Sequence, residues 1–173
     1  KNSTSKNEIE ISRIIKTIKN YHKYFAIIQS SKNVNIKNIE NSAFSECTPI
    51  NKRAYKSLMI SNIKYIPNYN LEDYYLNNKS IHLFLNAYLN GYSQILYILN
   101  LLNKKKISHY DLHSGNIIIN KYTESPILID FGLSMRINAI KYLRRHFYIY
   151  SPRTTWWCLE IHLCCYISKY HKD

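Results

Sequence analysis

Two short runs of residues constrain this chain more than any other part of it. The chain has only 3 glycines, and two of them, Gly115 and Gly132, lie in the runs HYDLHSGNIII (residues 109–119) and LIDFGLS (residues 128–134). Each run joins a polar loop to a β-branched stretch, NIIIN or PILID, and the segment KYTES (121–125) separates these stretches. The pattern predicts a β-hairpin with a polar loop at each outer end.

The predicted hairpin brings three oxygen-bearing side chains towards one place. Asp111 and Asn116 flank the first loop, and Asp130 begins the second. Two carboxylates and an amide oxygen form a hard-oxygen site that suits Mg²⁺. Positioning, charge neutralisation and a carboxylate base are the parts that phosphoryl transfer requires. The sequence therefore predicts a magnesium-dependent phosphoryl-transfer site.

Both runs resemble signatures of the eukaryotic-type protein kinase superfamily. The D-F-G signature is present as Asp130-Phe131-Gly132. The catalytic-loop pattern H-R-D-L-x-x-x-N is matched by His109-Tyr110-Asp111-Leu112-His113-Ser114-Gly115-Asn116. The two signatures stand in the family's order and follow a long apolar helical segment. The resemblance is dense over residues 109–134 and thin elsewhere.

The resemblance implies a fold class, a reaction and two cofactors. The fold would be α+β and two-lobed as in protein kinases, with an incomplete N-terminal lobe and a shortened, mainly helical C-terminal lobe. Residues 1–66 would form the partial N-terminal lobe (the helix C equivalent, strands and the hinge), and residues 67–173 the C-terminal lobe. The implied function is ATP-dependent phosphorylation of a protein Ser/Thr hydroxyl, with ATP and Mg²⁺ as cofactors.

The resemblance also implies roles for residues of the two loops. Asp111 would be the base that orients the acceptor hydroxyl. Asn116 and Asp130 would be the Mg²⁺ ligands, while His109 and Phe131 would pack and hold the loops.

Further residues would contact the nucleotide. Ile118 would lie under the adenine ring. Glu8 would pair with the nucleotide-positioning lysine, and Glu10 is the alternative for that role. The segment Ile63, Lys64, Tyr65 and Ile66 would form the hinge whose backbone meets adenine.

Two positions depart from the protein-kinase pattern. Tyr110 replaces the arginine that commonly holds a phosphorylated activation loop, so such a switch is not expected. His113 replaces a lysine, and the D-L-H-x-G-N run is also similar to small-molecule phosphotransferases of the aminoglycoside and choline kinase type. In either family His113 would contact the γ-phosphate. The run I-D-F-G-L-S and the A/T-type composition look like serine/threonine kinases of large DNA viruses.

Two kinase elements have no match in the sequence. The glycine-rich phosphate loop is absent, since Gly91 is the remaining glycine and lies in a predicted helix. Only seven residues precede Glu8, too few for the lysine-bearing strand, and the chain begins at Lys1. Two explanations stay open: a truncated segment of a full kinase, or a reduced, non-catalytic pseudokinase that acts as a binding module.

Periodicity predicts the secondary structure along the chain. Apolar residues at helical spacing predict an amphipathic helix over 8–19, and the apolar segment 81–102, interrupted by Asn and Gln, predicts a long buried helix over 81–103. The remaining predictions are a strand at 24–29, a loop at 30–54, a strand at 55–66, a short helix start within 68–76, strands at 116–120 and 126–130, and an apolar helix at 156–167.

Bulk composition bounds the partners and the compartment. The net charge of +13 invites a nucleic-acid interpretation, but the excess of Ile, Asn, Lys and Tyr follows A/T-rich codons, and no arginine-rich stripe is present. Nucleic acid is therefore not expected as a partner, and the kinase resemblance implies a protein substrate. Asn and Gln interrupt the apolar segment 81–102, which argues against a membrane span. The 4 cysteines do not form a disulfide framework, which favours the cytoplasm, the host cytoplasm for a viral protein. The sequence does not predict an oligomeric state.

Overall fold

The structure is a computed structural model that describes residues 3–35, 57–76 and 80–137. Its helices and small antiparallel sheets form a mixed α+β fold, which agrees with the predicted class. The chain divides into two compact units. We call residues 28–64 the hairpin unit and the rest, residues 1–27 and 65–173, the main unit.

The main unit begins with an amphipathic helix. Helix α1 spans Ser3–Ile15 and buries Ile11 and Ile15, while Arg13 is exposed. The predicted helix extends to residue 19, but the last turn tightens, since Thr17 N–H bonds to Ile14 O and Ile18 N–H to Ile15 O, three residues back. Such bonds are typical of a helix end. The chain then makes a 3₁₀ turn at Tyr21–Lys23.

The hairpin unit is a two-stranded antiparallel sheet. Strand β1 (Ile28–Asn35) pairs with β2 (Ser57–Ile63), with Ser31 opposite Ser61. The prediction of a loop over 30–54 is therefore wrong for residues 30–35. Polar side chains on both faces hid this strand, because most of its residues are exposed and no apolar alternation marks it.

A three-stranded antiparallel sheet carries the predicted hairpin. Strand β5 (Ile117–Asn120) pairs with β3 (Asn68–Asn70) on one side and with β6 (Pro126–Leu128) on the other. The hairpin prediction is thus confirmed. The short helix α2 (Leu71–Leu76) follows β3 directly, where the sequence predicted a helix start.

A second small sheet closes the outer ends of the hairpin. Strand β4 (Ile107–Ser108) pairs antiparallel with β7 (Met135–Arg136). One strand precedes the first polar loop and the other follows the second. The β4–β7 pair and the β5–β6 pair therefore hold the two loops side by side.

Helix α3 spans Ile81–Lys104, which confirms the predicted long helix. Its C-terminal half packs into the core through Ile98 and Leu102. The N-terminal half exposes large apolar side chains, among them Leu85 and Leu89, so the prediction of a buried helix is wrong for this half. None of the helices in the described ranges is long and apolar enough to cross a bilayer.

One hydrophobic core joins these elements of the main unit. Phe25 and Phe131 are fully buried and meet edge to face, with ring centroids 5.9 Å apart. The other core residues are Ile11, Ile15, Ile18, Ile27, Ile98, Leu102, Ile107, Ile117 and Leu128.

Two further predictions concern regular structure. The strand predicted at 24–29 is present only as a bridge between Phe25 and Leu128, followed by β1 from residue 28. The helix predicted at 156–167 lies outside the described residues.

Candidate active site

The first polar loop is anchored by a buried histidine. His109 is 3% exposed, and its ring lies 4.9 Å from that of Phe131. Its Nε2 lies 2.9 Å from Ile129 O and carries the ring proton, because a carbonyl only accepts. Burial lowers the pKa of His109, opposed by that hydrogen bond and by the charges of Asp111 and Asp130. The neutral ring therefore fixes the loop, as the sequence predicted for His109.

Asp111 and Asn116 are in direct contact across the first loop. Asn116 Nδ2 donates to the backbone oxygen of Asp111 at 2.8 Å and to its carboxylate Oδ2 at 3.4 Å. Asn116 is buried, in a 3₁₀ turn at Ser114–Asn116, whereas Asp111 is half-buried. The amide thus holds the carboxylate and keeps its own Oδ1 for another ligand.

His113 adjoins the same amide. Its Nε2 lies 3.1 Å from Asn116 Nδ2, and its Nδ1 accepts from Gly115 N–H at 3.1 Å. With Nδ1 as the acceptor, a neutral ring carries its proton on Nε2, so the approach of Nε2 to Asn116 Nδ2 is a contact and not a second hydrogen bond. His113 therefore borders the Asp111–Asn116 pair, and its contact with a phosphate stays a prediction.

The second polar loop lies against the first. Ile129 N–H donates to Asn116 O at 3.1 Å, so Asp130 directly follows a residue bonded to Asn116. Asp130 is exposed, and its Oδ1 accepts from Gly132 N–H at 3.2 Å. The structure thus brings Asp111, Asn116 and Asp130 to adjacent turns, where the sequence placed the candidate site.

Helix α1 brings a third carboxylate to this region. Burial raises the pKa of Glu8, and the charge of Asp130 raises it further, so Glu8 lies within electrostatic reach of Asp130. Glu10 instead forms an ion pair with Arg136 at 3.9 Å. Of the two glutamates that the sequence left open, Glu8 is therefore the one that adjoins the second loop.

The residues predicted to contact adenine are distributed over both units. Ile118 is half-buried in β5, opposite Ile127. Ile63 and Lys64 are exposed in the hairpin unit, while Tyr65, 82% exposed, and the half-buried Ile66 belong to the main unit. The adenine-contacting and hinge roles stay predictions.

The two glycines of the runs do not supply a left-handed backbone. Among the described residues, positive φ values near the site occur instead at Tyr110 (64°) and Asp130 (58°), and no glycine has one. Gly115 is required for space, since a Cβ there would lie 2.9 Å from the His113 ring. Strain at Tyr110 and Asp130 fits a functional site, where the surrounding structure maintains sparsely populated conformations.

Three residues of the site were not predicted from the sequence. Asn7 Nδ2 donates to Gly132 O (3.1 Å) and to Ser134 O (2.7 Å), which ties α1 to the second loop. Ser134 is fully buried and donates to His109 O at 3.1 Å, which joins the two loops. The only sequence signal for Ser134 was its position at the end of the run LIDFGLS, and Asn7 had none. Glu72 of α2 accepts from Ser114 Oγ at 2.8 Å.

The two turns carry side-chain oxygens of the types that a small divalent cation uses, and Mg²⁺ binding there stays a prediction. No group of three or more His, Cys, Asp and Glu that could hold a metal occurs within residues 3–35, 57–76 and 80–137. Asp130 and Asn116 would supply only one carboxylate and one amide oxygen, fewer protein ligands than such a group has. Mg²⁺ commonly uses one or two protein ligands together with phosphate oxygens and water. Asp130 and Asn116 Oδ1 match that donor set.

No protein-family model matches the chain, and no curated protein matches it in sequence.

Proposed function

We propose that this protein transfers the γ-phosphoryl group of ATP to a Ser/Thr hydroxyl of a protein substrate. The observation that carries the proposal is the hydrogen-bonded unit of Asp111 and Asn116, with Asp130 on the adjoining turn. A base, an amide oxygen and a second carboxylate in this order suit phosphoryl transfer.

Each of these residues has a distinct task in the proposed reaction. The Asp111 carboxylate orients the acceptor hydroxyl and receives its proton. Asn116 holds that carboxylate through Nδ2 and offers Oδ1 as a ligand, and Asp130 offers its carboxylate. When bound, Mg²⁺ and ATP supply the phosphoryl group and the neutralising charge. Asn7 and Ser134 keep the Asp130 turn in position.

The proposed architecture is the two-lobed protein-kinase fold with an incomplete N-terminal lobe. Its support is the element order: α1 with Glu8, then a β-hairpin, a long helix and the two loops joined by β5 and β6. This is the order that the sequence resemblance implies. Glu8 also has the half-buried setting, near Asp130, that a lysine-pairing glutamate needs.

A transfer assay tests the catalytic part of the proposal. Labelled ATP, Mg²⁺ and a generic protein substrate are incubated with the wild type and with Asp111→Asn. We expect transfer by the wild type and a loss of about 100-fold or more in the variant, because a general base contributes that much. Transfer no greater than that of Asp111→Asn would refute catalysis. Labelling of aminoglycosides or choline instead of protein would move the assignment to a small-molecule phosphotransferase.

A binding assay tests the nucleotide site separately. Mg²⁺–ATP should raise the melting temperature, because it binds the folded state, and Asp130→Ala should abolish the shift. Asp130→Asn removes only the charge, since it keeps the acceptor for Gly132 N–H and tolerates the left-handed backbone. Glu10→Gln is the matched control and should retain the wild-type shift. An undiminished shift in both Asp130 variants would refute metal-bridged phosphate binding.

A further inference from the structure

A concave site in the main unit is lined by none of the predicted catalytic residues. It is a cavity of about 360 Å³ bordered by α2, α3 and the turn between β5 and β6. Its volume falls in the range of small-molecule pockets, about 300–1,000 Å³. Neither the catalytic loop nor the Asp130 turn contributes to its walls.

Aromatic rings form one wall of this cavity. Tyr74 and Tyr75 line it, and their ring centroids lie 5.6 Å apart. Tyr75 also contacts Tyr88 at 5.5 Å, so the wall belongs to a larger aromatic cluster. Gly91 borders the cavity, and a Cβ there would lie 2.5 Å from the Tyr75 hydroxyl. The third glycine of the chain therefore makes room for Tyr75 against α3.

The polar part of the wall consists of groups that attract a cation. Among the described residues that line the cavity, Glu124 is the only one with a formal charge. Tyr74 Oη donates to Glu124 Oε2 at 3.4 Å. Burial raises the pKa of Tyr74, and the charge of Glu124 raises it further. Amide side chains project from α3 at four-residue spacing, and these are Asn86, Asn90 and Gln94.

The same aromatic cluster already holds one ammonium group. The Lys121 Nζ lies 4.8 Å from the ring centroid of Tyr69, within the range of a cation–π interaction. The Tyr69 ring in turn contacts that of Tyr74, with centroids 6.3 Å apart. The cluster thus offers ring faces to cations, and the cavity adds a carboxylate.

We propose that this cavity binds an alkylammonium group, either a small free amine such as choline or the side chain of a lysine. The faces of Tyr74 and Tyr75 attract the cation through their quadrupoles, and Glu124 supplies the opposite charge. The amides of α3 accept hydrogen bonds from a primary ammonium. The net charge of +13 repels cations at long range, so binding depends on these local contacts.

Calorimetric titration of the full chain tests the proposal with ligands that differ in one property. Choline is compared with its uncharged isostere, in which a quaternary carbon replaces the nitrogen. An N-acetyl-lysine amide is the second cation. We expect the charged ligand of the isosteric pair to bind about five-fold or more tightly than the neutral one. Preference for choline indicates a free quaternary amine, whereas preference for the lysine derivative indicates a peptide side chain.

Three variants locate the binding. Glu124→Gln keeps the shape and removes the charge, and it should weaken choline about five-fold. Gly91→Ala should displace Tyr75 and weaken all ligands. Tyr122→Leu is the matched control, because Tyr122 is 81% exposed on the same turn but does not line the cavity, and it should bind as the wild type does.

Several outcomes would overturn the proposal. Equal affinity for choline and its neutral isostere would identify an apolar pocket. Absence of binding by both cations in the millimolar range would exclude an ammonium site, and so would unchanged affinity in Glu124→Gln and Gly91→Ala when circular dichroism shows that both fold. None of these outcomes depends on ATP, so they leave the proposed phosphoryl transfer unaffected.

Discussion

Asn7 ties helix α1 to the loop that follows Asp130, and its replacement tests whether that contact holds the site together. Its Nδ2 donates to Gly132 O and to Ser134 O, at 3.1 and 2.7 Å. Its Oδ1 is buried without a hydrogen-bond partner in the described part of the chain. We compare Asn7→Ala, which removes both ends of the amide, with Asn7→Asp, which removes only the donor.

The structure predicts that aspartate is the worse replacement. Asn7→Ala loses two hydrogen bonds, about 1–3 kcal/mol together, but it also removes a buried unpaired oxygen, a relief of about 1 kcal/mol. Alanine further gains up to about 0.7 kcal/mol in helix propensity. The net loss in the free energy of unfolding is then roughly 0.3–1 kcal/mol. Asn7→Asp neither removes the unpaired oxygen nor improves helix propensity, and it places a carboxylate next to the two carbonyl oxygens. We therefore expect the free energy of unfolding to fall by about 3 kcal/mol or more.

Urea denaturation monitored by circular dichroism measures both values. The matched control is the pair Lys6→Ala and Lys6→Asp at the neighbouring exposed position. At residue 6 the helix dipole favours aspartate by about 0.3–1 kcal/mol, whereas the higher helix propensity favours alanine by a similar amount. Lys6→Ala and Lys6→Asp should therefore have similar free energies of unfolding. If Asn7→Asp and Asn7→Ala agree within about 0.5 kcal/mol, Asn7 does not donate to the loop and the reasoning fails.

Two titratable residues give further predictions. The raised pKa of Glu8, caused by burial and then by Asp130, means that the folded protein binds a proton more readily than the unfolded chain does, so stability falls as the pH rises above 4.5. Glu8→Gln should therefore raise the free energy of unfolding at neutral pH by less than about 1 kcal/mol. If this stability difference from the wild type does not shrink as the pH is lowered towards 4.5, the raised pKa of Glu8 is not its cause. Burial lowers the pKa of His109, so its contribution to stability is present above pH 6.5 and is lost as the pH falls below that value. His109→Leu should flatten this part of the urea-unfolding profile, and an unchanged slope would show that another group titrates.

The hairpin and its loops could be predicted because local chemistry determines them. The β-branched residues around Ile117 and Ile127 and the turn between them lie close together in the sequence, so the pattern of two paired strands can be recognised locally. The order of Asp111, Asn116 and Asp130 along this hairpin was enough to place them on adjacent turns. Helix α3 was equally predictable, since apolar residues recur along its 24 residues, but the exposure of its N-terminal half was not.

The remaining features depend on contacts that leave no local pattern. Strand β1 forms between exposed polar residues, so neither period nor composition marked it. The bond from Asn7 to the second loop spans more than a hundred residues and follows from the packing of Ile11 and Ile15. Gly115 in the first polar loop and Gly91 in the long helix give room to the rings of His113 and Tyr75, and no local pattern indicated either contact.

The left-handed backbone of Tyr110 and Asp130 costs folding stability that glycine at the same positions would not cost. Glycine adopts such a backbone without a steric penalty, whereas another residue loses roughly 1 kcal/mol. Laboratory evolution that selects only for thermal stability should therefore replace Asp130 by glycine and remove its carboxylate. If selection for function retains aspartate at residue 130, the carboxylate is required for something other than thermal stability.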